Sequence, residues 1–192
     1  MAVKTFTTGE VLTASDTNTY LNNGGLVYIT SGQASNTTQF LTFQNCFSAT
    51  YDNYRIVISN MGSGVNGTSI GFQMLNGSTP YTTANYSFSF VGLSTVGAST
   101  NTSYNADTKA SFANAYGSVT NSGATFDCLS PFLAKITEFT GQSIAINSGL
   151  NGYDIRNGAM LVETATSYDG IRITTTGGNL TATATLYGYR KG

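Results

Sequence analysis

From Leu26 to the C-terminus, apolar residues alternate with small polar ones. In YSFSFVGL (Tyr86–Leu93), for example, aromatic residues are separated by serines. A period of two is typical of β-strands with one buried and one solvent-facing side. The alternation predicts about ten strands. Their expected ranges are Leu26–Ser31, Gln39–Phe47, Tyr54–Asn60, Ser69–Leu75, Tyr86–Leu93, Phe132–Phe139, Ser143–Ser148, Ala159–Ala165, Gly170–Thr176 and Leu180–Arg190.

Turn dipeptides separate several of these segments. Asn-Gly begins at positions 23, 66, 76, 151 and 157, and Asp-Gly begins at 169. Both dipeptides favour the tight turns of β-hairpins, because their residues tolerate positive φ. Short strands with frequent turns are typical of antiparallel two-sheet folds. We therefore predict an all-β protein whose residues 25–192 form an antiparallel, jelly-roll-like β-sandwich.

The segment Ser94–Thr125 shows no clear alternation. It is rich in Ser, Thr, Asn, Gly and Ala, with isolated aromatic residues. A loop of this length without secondary structure is unusual in a compact domain. We predict one or two weak strands here, together with an exposed excursion that forms the outward tip of the protein.

Residues 1–24 differ from the rest and are predicted to form an extended N-terminal arm with one short helix. Thr13 can cap the helix, Asp16 lies in its first turn, and Gly24 ends it after about Asn22. So short a helix is not stable alone, and it must dock either on its own domain or on a partner. The low apolar content of the arm favours a partner. The anchoring residues we assign are Phe6, Val11, Leu12, Tyr20 and Leu21.

The last predicted strand has two chemically different sides. Its sequence LTATATLYGYR places Leu and Ala on one side of the strand. Small Ala side chains allow a neighbouring sheet to approach closely. The other side is a candidate subunit interface, and an ordinary strand of a sandwich is the alternative. The residues of that side are Thr181, Thr183, Thr185 and Tyr187.

The low charge of the chain limits the classes of partner that it can bind. Charged residues make up 9% of the sequence, and the net charge is −1. The basic residues are scattered, which argues against a nucleic-acid partner, since nucleic-acid binding needs clustered Lys and Arg. The sequence has no apolar run long enough for a membrane span or for a signal peptide. We therefore expect that the protein does not insert into a membrane. We also expect that it is synthesised in the cytoplasm.

The inventory of reactive residues argues against an enzyme. The absence of His excludes Ser-His-Asp and Cys-His nucleophiles and His-ligated zinc. GSGVNG (Gly62–Gly67) formally matches a dinucleotide-binding motif, but a strand is predicted after it, so we interpret it as a glycine-rich hairpin. We expect no cofactor, no metal and no catalytic residue. A carboxylate pair that hydrolyses glycosidic bonds is the enzymatic alternative, and a bridge between Cys46 and Cys128 is left open.

The arm resembles the start of many virion proteins of tailed bacteriophages, which include tail fibres, head fibres and decoration proteins. The resemblance lies in KTFTTGEVLTASDTNTYLNN (Lys4–Asn23), whose core runs from Gly9 to Leu21. Two further segments are similar to small all-β phage appendage proteins. These are CFSATYDNYRIVIS (Cys46–Ser59) and LYGYRKG (Leu186–Gly192).

The resemblance implies a non-enzymatic structural protein of the virion. Its arm would anchor to another virion protein (a major capsid, neck or tail protein), and its β domain would face outward. The resemblance to phage appendages of this kind also implies that the protein is a homotrimer. The alternative is a carbohydrate-binding module for a host surface glycan, since tyrosine rings can stack on sugars. The tyrosines near predicted turns are Tyr51, Tyr81, Tyr104, Tyr116, Tyr153 and Tyr168.

Overall fold

The computed structural model describes residues 7–11, 13, 25–94, 99–115, 122–147 and 152–191. Within these residues the chain forms thirteen β-strands and no helix. Every strand pair is antiparallel, which confirms the predicted all-β class with antiparallel sheets. The strands are β1 Leu26–Ser35, β2 Phe40–Phe43, β3 Asn53–Ser63, β4 Thr68–Asn76, β5 Thr79–Pro80, β6 Tyr86–Ser94, β7 Ser99–Asp107, β8 Ala110–Ala115, β9 Ser122–Leu129, β10 Thr137–Asn147, β11 Gly152–Val162, β12 Gly170–Thr175 and β13 Leu180–Tyr189.

The strands are divided between two sheets. The eight-stranded sheet has the order β1-β13-β3-β9-β10-β11-β6-β7. The five-stranded sheet has the order β2-β12-β4-β5, and β8 also pairs with β4. The chain therefore changes sheet repeatedly, for example from β1 to β2, from β3 to β4, from β8 to β9 and from β12 to β13. These crossings bring the inner side chains of both sheets into one core.

Aromatic rings from both sheets form the centre of that core. Phe72 of β4 is fully buried. Its ring centroid lies 5.5 Å from that of Phe126 on β9 and 5.1 Å from that of Phe139 on β10. Phe112 of β8 lies 4.6 Å from Phe72 and 5.0 Å from Phe126. Phe72 thus joins the two sheets directly.

Two glycines face each other in the middle of the eight-stranded sheet. Gly141 of β10 pairs with Gly158 of β11, and their outer neighbours are Phe126 and Phe90. A Cβ atom on either glycine would overlap the backbone of the adjacent strand and would lie 2.7 Å from a ring carbon of the neighbouring Phe. The missing side chains let both rings lean over the glycines, and their centroids are 6.3 Å apart.

The eight-stranded sheet has two distinct ends. Leu26, where β1 begins, pairs with Tyr189, and the amide of Arg190 donates to the carbonyl of Gly25 at 2.9 Å. We call this the terminal end, because both ends of the β domain meet there. The opposite, distal end contains Ser35 and Leu180 and the following strand ends: Ser63, Ser94, Ser99, Ser122, Asn147 and Gly152.

Several strand predictions are confirmed, but the boundaries of four predicted strands are wrong. The predicted strand Phe132–Phe139 is mostly a connection, since β10 begins at Thr137. The predicted strands Phe132–Phe139 and Ser143–Ser148 share the single strand β10, because Gly141 continues it instead of ending it. Asn157-Gly158 likewise lies inside β11 rather than in a turn. Strand β2 ends at Phe43, and Asn45 has a positive φ of 52° that is incompatible with a strand.

The irregular segment agrees with its predicted structure, but the hairpin predicted at Gly62–Gly67 is wrong. This segment connects β3 of the eight-stranded sheet to β4 of the five-stranded sheet, which are not paired, and Gly67 has a φ of 74° in the turn. The weak strands predicted within Ser94–Thr125 are present as β7 and β8, and β9 begins at Ser122. As predicted, a strand follows Gly62–Gly67, so this segment has no helix N-terminus for a phosphate.

The short helix predicted from Thr13 to Asn22 is not confirmed. Thr13 is described but is not helical, and the other residues of that segment lie outside the described part of the chain. In residues 7–11 the amide of Thr7 donates to the Glu10 carboxylate at 3.1 Å, and the amide of Glu10 donates to the carbonyl of Thr7 at 3.0 Å. This short turn has Gly9 at a φ of 88°.

Candidate functional site

Of the five anchoring residues predicted in the arm, Val11 is the one that the structure describes. Its side chain is 79% exposed, so it is available for contact with another protein. The other four, Phe6, Leu12, Tyr20 and Leu21, lie outside the described residues. Their anchoring role stays a prediction.

The predicted interface on β13 lies on the outer face of the eight-stranded sheet. Leu180, Ala182, Ala184 and Leu186 point into the core and are buried. The alternation predicted for this strand is thereby confirmed. The opposite side chains are half-buried between β1 and β3; they are Thr181, Thr183, Thr185 and Tyr187.

A charged and aromatic cluster continues this face toward the terminal end. Arg55 Nε and Nη2 donate to the two carboxylate oxygens of Asp127 at 2.8 and 2.9 Å. The Tyr189 hydroxyl donates to Asp127 Oδ1 at 2.6 Å. The hydrogen bonds from Arg55 hold the pKa of Asp127 below its usual value. Burial and the bond to Asp127 raise the pKa of Tyr189 to about 12, so the phenol stays protonated at neutral pH.

A patch of exposed apolar side chains lies on the same outer face, nearer the distal end. Ile144 of β10, Ile155 of β11 and Leu93 of β6 are direct lateral neighbours in the sheet. Val91 lies two residues from Leu93 on the same side of β6, and Tyr153 lies two residues from Ile155. We call these five residues the apolar patch. Leu93 and Val91 are each 65% exposed, which is unusual for such large apolar side chains.

A depression adjoins the apolar patch. It has a volume of about 300 Å³ and is lined by residues that include Ile58, Gly123, Thr125, Ile144 and Ile155. Gly123 pairs with Ile144 and has no side chain, so a gap opens beside the isoleucine. The patch therefore offers both projecting side chains and a recess for a partner's side chain.

Sequence reasoning missed the apolar patch. It selected the polar side of β13, whereas the exposed apolar residues lie on β6, β10 and β11. A signal was present in FVGL (Phe90–Leu93), in which Phe90 and its neighbour Val91 are both apolar. A strand with one wet side should be polar at one of two adjacent positions. Apolar residues on both sides make the outer side a candidate contact surface.

A second surface, on the outer face of the five-stranded sheet, contains a groove of about 460 Å³. Arg172 of β12 lies in it, between Thr42 of β2 and Gln73 of β4. Arg172 Nε donates to Gln73 Oε1 at 2.7 Å. Its guanidinium carbon lies 5.2 Å from the ring centroid of Phe40, a cation–π contact. Burial lowers the pKa of the Arg172 guanidinium.

The tyrosines considered for sugar stacking occupy different environments. Tyr168 is buried in the core, and Tyr51 and Tyr81 pack against the core from half-buried positions. Tyr153 and Tyr104 are exposed, and Tyr104 is stacked on Phe88 with 5.9 Å between the ring centroids. Tyr116 lies outside the described residues. Tyr104 and Tyr153 are therefore the candidates for ring stacking that the structure retains.

The structure also places the reactive side chains. Cys46 and Cys128 are both buried and free, and burial raises the pKa of the Cys46 thiol to about 12. Across the described ranges, no group of three or more His, Cys, Asp or Glu residues is arranged to hold a metal ion. The same ranges contain no helix long and apolar enough to cross a membrane.

Comparisons of the chain with protein-family models, with curated proteins and with solved structures gave no match.

Proposed function

We propose that this chain is a non-enzymatic structural protein of a tailed-bacteriophage virion. Its N-terminal arm attaches to the capsid or tail, and its β domain is displayed outward as a decoration protein or a short head or tail fibre. The placement of the two ends of the β domain supports this proposal. Residue 25, where the arm joins the domain, lies at the terminal end beside Arg190. Attachment through residues 1–24 therefore directs the distal end away from the particle.

We further propose that the β domain is a jelly-roll sandwich. A jelly roll has two four-stranded sheets, formed by a chain that crosses between them. The sets β1-β13-β3-β9 and β2-β12-β4-β8 support this assignment, because each is a run of hydrogen-bonded neighbours in one sheet. Strands β10, β11, β6 and β7 extend the first set, and the contact of Phe72 with Phe126 joins the two sets.

Deletion of residues 1–24 tests the anchoring role. We expect the truncated protein to fold but to be absent from purified particles, because the attachment surface is lost while the core residues that the structure describes all lie beyond position 25. The measurement is quantitative mass spectrometry of particles assembled with the variant as the sole copy of the protein. Thermal unfolding of the free variant establishes that the domain is folded.

A matched substitution provides the control for the deletion. Replacing Phe6, Val11 and Leu12 together by Ser should reproduce the loss of incorporation. Val65→Ser removes another exposed apolar side chain, at the β3–β4 turn of the distal end, and should leave incorporation unchanged. Full incorporation of the folded deletion variant would rule out attachment through the arm.

The apolar patch supports the proposal that the protein is a homotrimer. Contiguous exposed apolar surface marks interaction sites. None of the five patch residues is charged, so copies related by rotation can bring the same surface together without like-charge repulsion. The lateral row Ile144, Ile155 and Leu93 spans three neighbouring strands and would give each copy a continuous contact. We therefore place the subunit interface at the apolar patch and retain the β13 side chains as a possible extension.

Charge substitution in the patch tests this interface. Leu93→Asp should convert a trimer to monomers, because an unpaired carboxylate would be buried in the contact. Val65→Asp, at an exposed site outside the patch, should stay trimeric. The measurement is the molar mass by light scattering, and Thr183→Asp shows whether β13 contributes. A wild-type protein that is monomeric at micromolar concentration would contradict the homotrimer.

A carbohydrate-binding module is the second candidate function, and it is compatible with the first. Tyr104 favours it, because the residue is 60% exposed and its ring is held against Phe88 at an interplanar angle of 13°. A fixed aromatic face of this kind is suited to stacking on a sugar ring. In this role the virion protein would recognise a host surface glycan.

A further inference from the structure

Arg172 differs in position from the basic residues that form ion pairs in the fold. It lies on β12, between β2 and β4, and its side chain is directed to the outer face of the five-stranded sheet. Its Nε is fixed by Gln73, and Phe40 flanks the guanidinium. Gln73 is itself held, since its Nε2 donates to the carbonyl of Thr108 at 2.9 Å. The guanidinium is therefore held in a defined orientation.

Among the described residues, no carboxylate lies within ion-pair distance of Arg172. In contrast, Arg55 pairs with Asp127 at 2.8 Å, and Lys191 pairs with Asp52 at 2.8 Å. Asp169, which precedes β12, is occupied by the backbone amide of Gly77, 3.0 Å from both carboxylate oxygens. Partial burial of a cation without a nearby carboxylate has an unfavourable desolvation free energy. The two Nη groups of Arg172 can donate in parallel to an external carboxylate.

The lining of the groove indicates the class of ligand. Besides Arg172, it is lined by Phe40, Thr42, Gln44, Leu75 and Ser78. Phe40 is 45% exposed and supplies an apolar surface, while the hydroxyls and the amide can bind sugar hydroxyls. The volume of about 460 Å³ lies in the range of small-ligand sites. One cation among neutral polar groups fits a ligand with one carboxylate per sugar unit better than a densely charged peptide.

We propose that the Arg172 groove binds the carboxylate of an acidic saccharide, with a hexuronic-acid unit as the ligand. This inference builds on the second candidate function and names the substrate class and the site. The groove lies on the five-stranded sheet, whereas the apolar patch lies on the outer face of the eight-stranded sheet. Assembly through the patch therefore leaves the groove accessible.

Calorimetric titration of the full-length protein tests the site. The probes are a tetrasaccharide of glucuronic acid and the same tetrasaccharide with its carboxyl groups reduced to alcohols. We expect the acidic probe to bind and the neutral probe to bind far more weakly. Arg172→Gln should lower the affinity for the acidic probe about ten- to a hundredfold, the usual range for a lost charge-assisted hydrogen bond. Lys135→Gln removes an exposed charge elsewhere and should have no effect.

A second variant avoids any change to the half-buried arginine. Ser78→Glu lies at an exposed turn position and places a carboxylate at the rim of the groove. This carboxylate competes with the ligand for Arg172. The substitution should abolish saccharide binding and leave the thermal unfolding of the protein unchanged. Equal binding of the acidic and neutral probes would overturn the proposal, as would wild-type affinity in Arg172→Gln. A penta-glutamate peptide that binds more tightly than the saccharide would overturn the ligand class.

The saccharide-binding proposal and the proposed structural role can be tested independently of each other. Arg172→Gln should enter particles normally, while the variant that lacks residues 1–24 should bind the saccharide normally. If the wild-type protein does not bind the saccharide but enters particles normally, the proposal for the Arg172 groove alone is overturned. Normal incorporation without the arm would overturn the anchoring role alone.

Discussion

Phe72→Ala should lower the free energy of unfolding by about 3–5 kcal/mol, the range measured for large buried aromatic residues. Phe72 has no exposed surface, and its ring contacts three other phenylalanines from both sheets. Removing it would leave a cavity at the point where the sheets meet. Since ordinary domains are stable by only about 5–15 kcal/mol, this one change would remove a large fraction of the stability. Equilibrium unfolding in urea measures it.

Phe40→Ala provides the matched control for Phe72→Ala. It deletes the same side chain from the same sheet, but Phe40 is 45% exposed and faces outward. We expect a loss below about 1 kcal/mol, mainly from the contact with Arg172. Similar losses in the two variants would contradict a core centred on Phe72.

Gly158→Ala should destabilise the fold by about 2–3 kcal/mol, although it adds only one methyl group. The new Cβ would overlap the carbonyl oxygen of Ser89 on β6 and would lie 2.7 Å from a ring carbon of Phe90. Relief requires β11 and β6 to separate or the Phe90 ring to turn away, and either movement disrupts the contact between Phe90 and Phe126. Thermal and urea unfolding both report the loss.

Gly177→Ala is the control for the glycine substitution. Gly177 has no positive φ, and an added Cβ would meet only the methyl carbon of Thr68 at 3.3 Å. Its free energy of unfolding should change by less than about 0.5 kcal/mol. A neutral Gly158→Ala would show that the strands around the glycine pair are less closely packed than the structure describes.

Much of the local structure was predictable from the sequence because it depends on neighbouring residues. Period-two alternation located β3, β4, β6 and β13, since a strand with one buried side must repeat every second residue. Asn66-Gly67 and Asn76-Gly77 were recognised as turns, and both glycines have positive φ. The half-buried Thr side of β13 followed from the same alternation.

The errors in the strand predictions have a physical cause that local reasoning could not detect. Gly141 and Asn157-Gly158 are turn signals in isolation, but they lie inside paired strands. Their role is to leave room for Phe126 and Phe90, which come from other parts of the chain. A residue chosen for a non-local contact is misread when only its neighbours are considered.

The candidate surfaces were less predictable than the strands. The apolar patch combines residues from β6, β10 and β11, which become neighbours only through the sheet order. Arg172 gives no sequence signal of an unpaired charge, because the pairing of an arginine depends on which acids the fold brings near. The arm was distinguished by its composition, and its anchoring role stays a prediction.

The antiparallel all-β class, the low charge and most strand and turn positions could be derived from the sequence, because they follow from side-chain alternation and backbone preference. The identity of neighbouring strands was established by the folded structure alone. That order brings both ends of the β domain together and exposes the apolar patch on one sheet. On the other sheet, it leaves Arg172 with no carboxylate in ion-pair distance among the residues that the structure describes. These features depend on contacts between residues far apart in the chain, which local preference does not encode.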